Sequence, residues 1–163
     1  MGIVVSAEEI TKIADELRAQ GKKIVTTNGC FDILHTGHVQ VLQEAKKLGD
    51  ILIVCINSDD SVKQNKGDKR PLNNEKDRAE LISALECVDY TVIFDEKEPS
   101  AILFAIKPNV HTKATDYTPE KIIEKKVVEQ NGGEVRILQL VQGKSTTALI
   151  TKIVEAYGNA ANK

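Results

Sequence analysis

No apolar run in this chain approaches the length that spans a bilayer, and the opening residues carry no signal-peptide pattern. A cytoplasmic location without membrane association is therefore expected. Cysteine is scarce. Cys30, Cys55 and Cys87 are odd in number, lie in or beside apolar stretches and lack metal-ligand spacing, so reduced thiols are expected rather than a disulfide framework. Charge of one sign is missing too: the net charge is −2, which offers no bulk attraction to nucleic acid or to an anionic surface. There is no repeat and no low-complexity tract. What remains is an ordinary globular composition, 41% hydrophobic and 28% charged over 163 residues, enough for one domain with a real core and too little for two.

The chain is organised around Val25-Thr-Thr-Asn-Gly-Cys-Phe-Asp-Ile-Leu-His-Thr-Gly-His38 and the Val-Gln-Val-Leu-Gln-Glu-Ala45 that follows. This reads as a short β-branched strand, a tight turn at Asn28-Gly29, a polar pocket and a helix. Asn-Gly tolerates the positive φ of a sharp strand exit, and Gly29 and Gly37 allow backbone to approach a ligand from two sides. His35 and His38 stand three residues apart, so one turn puts both imidazoles on one face at a helix start. Free N–H groups and the positive dipole end make that start an anion site. Two imidazoles there can hydrogen-bond a phosphate oxygen and stabilise charge developing on it, which is the chemistry of nucleotidyl transfer. Half of a zinc site and two unrelated surface histidines are the competing readings. No Cys, His or carboxylate set with ligand spacing supports the first, and the second sits badly with two of only three histidines lying in one loop.

The flanking segments place this loop in a fold. Ser6-Ala-Glu-Glu9 is a capping box ahead of Ile10, Ile13, Ala14 and Leu17, a packing helix outside the chemistry. Ile51 to Ile56 is a strand buried on both faces and ends in Asn57-Ser-Asp-Asp60. Ser61 to Pro71 reads as a basic polar loop carrying Lys63, Lys66, Lys69 and Arg70, either simply solvated or able to close over a triphosphate. Asn73 or Asn74 can cap the next helix, where Arg78 falls among core-facing residues and needs an anionic partner, a phosphate or a carboxylate. Tyr90–Phe94 is a third strand, a helix spans Pro99 to Ile106, and Asn109–Lys113 is a fourth strand. Pro119 opens a helix carried by Ile122, Ile123, Val127 and Val128, and Val135–Val141 is the fifth strand. Gly143-Lys-Ser-Thr-Thr147 then opens the last helix, with one hydroxyl explained by N-capping and the run suggesting a second anion cradle. The alternation predicts an α/β fold: a Rossmann-like, doubly wound, five-stranded parallel sheet, with both cradles on its carboxyl edge. The domain is expected to comprise a packing helix within 1–21, a catalytic core at 22–158 and a frayed tail at 159–163.

Gly29-Cys-Phe-Asp-Ile-Leu-His-Thr-Gly-His38 resembles the signature of the cytidylyltransferase-like nucleotidyltransferases, whose mark is His-x-Gly-His after a Gly-x-Phe-Asp turn. Asn57-Ser-Asp-Asp-Ser-Val-Lys63, Lys69-Arg-Pro71, Leu85-Glu-Cys-Val-Asp-Tyr90, Lys113 with Asp116-Tyr-Thr-Pro-Glu120, and Ser145-Thr-Thr147 are similar to the heptose 1-phosphate adenylyltransferases in particular. The resemblance covers about Lys22 to Ile153 and suggests a stand-alone form of an activity often fused behind a sugar kinase. It implies transfer of AMP from ATP to a sugar 1-phosphate, D-glycero-β-D-manno-heptose 1-phosphate, giving ADP-heptose and pyrophosphate for an envelope polysaccharide. His35 and His38 would then bind the triphosphate and stabilise the transition state, and Lys63 or Lys66 with Arg78 would neutralise phosphate charge. Asn28, Gly29, Cys30, Phe31 and Gly37 would line the nucleotide site. Asp116 would hold the adenosine part, Ser145, Thr146 and Thr147 would cap the phosphates, and Asp32 and Lys113 would face the acceptor. Mg2+ would be held mainly by phosphate oxygens and water rather than by protein ligands. A homodimer is expected of such a family.

Two departures stand out. Ala114 follows Lys113 where the family has glycine, which bears on adenine selectivity. His111 and Thr112 replace apolar residues in the fourth strand, and His111 is read as a core histidine ahead of a sugar-pocket one. A cytidylyltransferase acting on an alcohol phosphate such as glycerol 3-phosphate, and a nucleotide-binding module without turnover, are the alternatives. A redox dinucleotide enzyme is disfavoured because no Gly-x-Gly-x-x-Gly follows the first strand.

Overall fold

The computed structural model describes residues 1–115, 118, 122–139 and 143–158. In chain order the elements are β1 (Ile3–Val5), α1 (Ala7–Ala19), β2 (Ile24–Gly29), α2 (Thr36–Lys46), β3 (Ile51–Asn57), α3 (Asp59–Lys66) and α4 (Glu75–Ser83). They continue with β4 (Tyr90–Phe94), α5 (Ser100–Ile106), β5 (Val110–Ala114), α6 (Lys125–Gln130), β6 (Glu134–Leu138) and α7 (Thr146–Tyr157). The strands form one parallel sheet in the order β1-β4-β3-β2-β5-β6.

β3 lies near the middle of the sheet and shows why it forms. Leu52, Val54 and Ile56 pack to one face with Leu42, Ala45, Ala79 and Ile82, while Ile53 and Cys55 pack to the other with Ile10, Ala14, Ile102 and Ile106. Period-two alternation therefore feeds two cores from one apolar run, with α2 and α4 covering one face and α1 and α5 the other. Burying the Cys55 thiol raises it to about 12, so it behaves as a small apolar side chain. The Ser6 capping box starts α1 as expected: Glu9 N–H donates to Ser6 Oγ at 3.2 Å and Ser6 N–H to Glu9 Oε2 at 2.8 Å. Asn74, not Asn73, caps α4 by accepting from the Asp77 N–H at 3.0 Å.

Among the described residues the doubly wound parallel sheet has six strands rather than five. The extra one is β1, a three-residue edge strand held in register by Ile3 N–H on the Asp89 carbonyl, 3.0 Å, and too short to show a period. A second difference lies in the supposed loop after residue 60, whose first half is α3. Ser58 caps it, Asp59 and Asp60 fill its first turn, and Lys63 and Lys66 fill its last. It buries little beyond Ser61 and Val62, so hydrophobic periodicity misses it while the charge placement fits. The third concerns α6, which begins at Lys125 rather than at Pro119; residues 119–121 lie outside the described set, as does the 159–163 tail. β6 runs Glu134–Leu138, one residue earlier than expected at its start.

β2 is the switch point of the sheet. β3 and β4 follow it in one direction and β5 and β6 in the other, so the crevice for a ligand opens at the carboxyl ends of β2 and β5. The polar side chains in these two strands are paired across the ladder. Thr27 Oγ1 donates to the Thr112 carbonyl and Thr112 Oγ1 to the Thr26 carbonyl, each at 3.1 Å, and His111 Nδ1 meets Thr26 Oγ1 at 2.9 Å. These pairings account for Thr112 and for one ring nitrogen of His111 in a buried strand, while His111 Nε2 is buried without a partner. His111 is fully buried and neutral, its proton affinity pushed down to about 4 by burial, and it packs within the sheet rather than in the crevice. Among the described residues no helix is long and apolar enough to cross a membrane.

Candidate active site

At the end of β2 the chain turns at Phe31, a non-glycine residue with φ 48°. The positive φ expected at Asn28-Gly29 falls here instead. Gly29 packs closely there: a Cβ at this position would lie 3.0 Å from the Phe31 ring, which would have to give way. Phe31 in turn sets its edge against His38, with ring centroids 5.2 Å apart at 63°.

His35 occupies the N-cap of α2 in extended geometry without capping the helix itself. His38 lies one turn further on, and the two imidazoles stack with centroids 3.7 Å apart at 18°. Burial, with the neighbouring His35 adding to it, pushes His38 down to about 4, and burial with the Lys144 charge lowers His35 as well. At neutral pH the pair is uncharged, so each ring offers one N–H and one lone pair. Nδ1 of both rings is buried without a hydrogen-bond partner. Buried polar atoms are normally paired, and an unsatisfied pair at a helix start is the arrangement expected where a ligand completes the bonding.

The second helix entrance meets the first. Gly37 packs so tightly that a Cβ there would lie 3.0 Å from both His35 Nδ1 and Lys144 Cβ. The starts of α2 and α7 therefore face one cavity, of about 330 Å3, lined by Asn28, Gly29, Cys30, Phe31, His35, Gly37, His38, Lys66, Lys113 and Lys144, with Thr27, Val41 and Ala114. Its described lining holds three lysines and no carboxylate. An adjoining chamber of about 500 Å3 shares Asn28, Gly29, Cys30, Lys66, Lys113 and Ala114 with it, and its further lining includes Asn57, Asn65, Lys97, Glu98 and Glu124. Two helix N-termini, two neutral imidazoles and three ammonium groups around one small cavity make a receptor for a polyanion.

Several expected site residues lie elsewhere. Arg78 is fully buried and does not reach the cavity: Nη1 donates to the Cys30 carbonyl at 2.6 Å, Nη2 to Asp59 Oδ1 at 2.8 Å and Nε to the Asn73 carbonyl at 3.0 Å. Its anionic partner is a carboxylate, and its work is to tie the signature loop to α3 and to the entry of α4. Asp32 is likewise buried, 2% exposed, and pins that loop from the other side. Its Oδ1 accepts from the N–H groups of Leu72 at 2.8 Å and Asn73 at 2.9 Å, and Oδ2 pairs with Arg70. Burial alone would raise the Asp32 carboxyl, but these donors outweigh it and hold it below the usual carboxylate range. Lys63 points away on exposed α3, 3.1 Å from Asp60, and borders a different depression. Ser145 Oγ accepts the Ala148 N–H at 3.1 Å, an ordinary cap, and Thr146 and Thr147 form the first turn of α7 beside the cavity rather than in its lining. Asp116 lies outside the described residues. Cys30 lines the cavity with its thiol raised by burial, 3.8 Å from Asn57 Oδ1, which suits a wall and not a nucleophile.

Among the lining residues that escaped the sequence reading are Lys144 and Glu124. Lys144 carried a visible signal, the Gly-Lys ahead of the hydroxyl run, but its convergence on Gly37 is a tertiary fact. Glu124 carried none.

Comparison with known proteins agrees with this geometry. The cytidylyltransferase-like family model matches residues 26–157. The chain belongs to the cytidylyltransferase-like nucleotidyltransferases. The bifunctional protein HldE of Geobacter metallireducens is 53% identical over 146 residues, covering 90% of this chain and 30% of that protein. HldE of Wolinella succinogenes is 48% identical over 150 residues, covering 92% of this chain and 31% of that one. The chain thus spans less than a third of these relatives. Among solved structures, a lipopolysaccharide core biosynthesis protein from Thermoplasma volcanium superposes with a TM-score of 0.62 at 34% identity, over 76% of this chain and all (100%) of that one. A pantoate–β-alanine ligase from Francisella tularensis shares the fold alone, with the same TM-score of 0.62 at 16% identity over 99% of this chain and 77% of that one. In this cytidylyltransferase-like chain the His-x-Gly-His segment is the start of α2, and the cavity it borders lies at the switch point of the sheet.

Proposed function

We propose that the protein is an adenylyltransferase that transfers AMP from ATP to a sugar 1-phosphate, D-glycero-β-D-manno-heptose 1-phosphate, giving ADP-heptose and pyrophosphate. The observation that carries the nucleotidyl-transfer reading is the stacked, neutral His35–His38 pair, with unpartnered Nδ1 atoms, facing Lys144 across Gly37. The sugar rests on the similarity of 90% of the chain to an HldE protein and of 76% of it to a lipopolysaccharide core biosynthesis protein, together with the motifs it shares with heptose 1-phosphate adenylyltransferases.

The triphosphate lies across the two helix entrances, where N–H groups of α2 and the Lys144 ammonium meet its charge. A phosphate oxygen of the sugar phosphate attacks the α-phosphorus in line. The new P–O bond forms as the α–β anhydride bond breaks, and pyrophosphate leaves with the bond's electron pair. No protein nucleophile is required, so positioning and charge stabilisation account for most of the rate. Neutral imidazoles suit this work, because each donates an N–H to oxygens whose charge grows in the transition state without tying up the ground state as an imidazolium would. Among the described residues no group of three or more His, Cys, Asp or Glu side chains is placed to hold a metal, and the cavity walls are cationic. Mg2+ would be carried mainly by phosphate oxygens and water, where it would neutralise charge on the departing pyrophosphate.

Purified protein incubated with ATP or CTP and with heptose 1-phosphate or glycerol 3-phosphate, with pyrophosphate release as the readout, tests the proposal. Release is expected with ATP and heptose 1-phosphate. Release confined to CTP with glycerol 3-phosphate would transfer the protein to the cytidylyltransferase alternative, for which Ala114 in the cavity wall is the relevant feature. The same reading places the protein in the cytoplasm as a homodimer, and a monomer in sedimentation at micromolar concentration would remove the second part.

A further inference from the structure

Glu124 precedes α6 and is 5% exposed, a carboxylate sunk into the wall of a chamber whose lining also holds Lys66, Lys97, Lys113 and a second carboxylate, Glu98. Burial would raise its carboxyl, but the charge and hydrogen bond of Lys113 outweigh burial and keep it below the usual range. Lys113 Nζ pairs with Glu124 Oε1 and donates to Asn28 Oδ1 at 2.9 Å. Asn28 is the last side chain of β2 before the signature turn, and Lys113 lines both the histidine cavity and the adjoining chamber. The ammonium therefore stands on the partition between the two, held from one side by a buried anion and from the other by the switch-point strand.

A fixed negative charge beside a polyanion receptor weakens phosphate binding through Coulomb repulsion, and a buried ion pair adds little net stability once desolvation is counted. What such a pair does supply is geometry. A free lysine is a flexible point charge on a four-carbon stem, whereas one clamped between a carboxylate and an amide presents its remaining N–H in a defined direction. We propose that Glu124 is a positioning residue that acts through Lys113, fixing its ammonium at the junction where donor and acceptor phosphates meet. This rests on the nucleotidyl-transfer reading for what the ammonium does, and on the hydrogen-bond geometry alone for what Glu124 does to it.

The experiment is a double-mutant cycle of Glu124→Gln and Lys113→Met, read on ATP affinity by titration calorimetry and on pyrophosphate release. In the parent background Glu124→Gln frees the ammonium: kcat is expected to fall about ten- to a hundredfold while KM for ATP stays level or drops, because the repelling charge is gone but alignment is lost. In the Lys113→Met background no further fall in kcat is expected, because no ammonium is left to misalign, and only the gain in affinity remains. There Glu124 is an unpaired buried anion beside the phosphates, so adding Glu124→Gln is expected to restore ATP affinity relative to Lys113→Met alone. Effects on kcat of equal sign and size in both backgrounds, or an unchanged kcat in Glu124→Gln, overturn the proposal. A crystal structure of Glu124→Gln without ligand gives a readout independent of activity: Lys113 Nζ is expected to leave Asn28, and its staying in place also overturns the proposal. A parent protein that binds no ATP instead removes the nucleotidyl-transfer reading, and the structural readout then decides the role of Glu124 by itself.

Discussion

Arg78 separates two accounts of the signature loop. If its guanidinium is a clamp, as its three hydrogen bonds to Cys30, Asp59 and Asn73 indicate, then Arg78→Met removes a stabilising tie and leaves the phosphate site's own groups untouched. Charged hydrogen bonds contribute roughly 1.5–3 kcal/mol each, but the substitution also relieves the desolvation of a buried cation. Asp59 is 31% exposed at its side chain and regains water, whereas the Cys30 carbonyl loses its charged donor. The net expectation is a loss of about 2–4 kcal/mol, a large part of the roughly 5–15 kcal/mol that holds a typical domain. For a chain of 163 residues that lowers Tm by roughly 5–15 °C. Urea denaturation followed by circular dichroism gives the stability, and calorimetry at low temperature gives ATP affinity on the folded protein. Affinity is expected to fall only a few-fold, through the loosened loop. Stability within about 0.5 kcal/mol of the parent, the range of ordinary surface substitutions, together with a tenfold or greater loss of ATP binding would refute the clamp and return Arg78 to the phosphates.

Three further outcomes follow from the site and the sheet. His38→Ala and His35→Ala are each expected to lose about two to three powers of ten in turnover while binding ATP within a few-fold, measured by pyrophosphate release and calorimetry; retained turnover in both would remove the imidazoles from the chemistry. Gly37→Ala places a methyl 3.0 Å from His35 and Lys144 and pushes the two helix starts apart, so ATP affinity is expected to drop about tenfold, an overpacking penalty of 1–3 kcal/mol; unchanged affinity would mean the entrances do not share a ligand. His111 is held near 4 in the fold against an ordinary 6.5, so the unfolded chain binds the extra proton between those values. Its contribution is present above about pH 6.5 and is lost as pH falls towards 4, roughly 3 kcal/mol at most. Urea unfolding at pH 7.5 and pH 5 should show that loss in the parent and a shallower one in His111→Leu; equal slopes would assign it to other groups.

The local signals of this sequence carried far. The capping box at Ser6, the two-faced β3 run and the His-x-Gly-His helix start each report on residues within one or two turns of themselves and stand in the structure where the pattern put them, while the turn of the Gly-x-Phe-Asp element falls at Phe31 rather than at Asn28-Gly29. The stacked histidines needed only helical spacing to be foreseen. The places where the structure gives a residue other partners than expected share a cause. Arg78 and Asp32 are both charged residues beside an expected phosphate site, and nothing local distinguishes a ligand from a clamp. The partners that decide, Asp59 and Arg70, lie nineteen and thirty-eight positions away. Lys63 and Lys66 sit three apart on one helix, yet only the packing of α3 against the sheet turns Lys66 to the cavity and leaves Lys63 on Asp60. Glu124 became a wall residue because α6 packs against β6 and α5 and so brings the carboxylate at its start onto Lys113. Patterning along the chain determined the elements and the chemistry on offer at their ends; which charges face the ligand and which face each other was decided by tertiary packing, because a burial cost too large to leave unpaired is settled by whatever group the fold brings within reach.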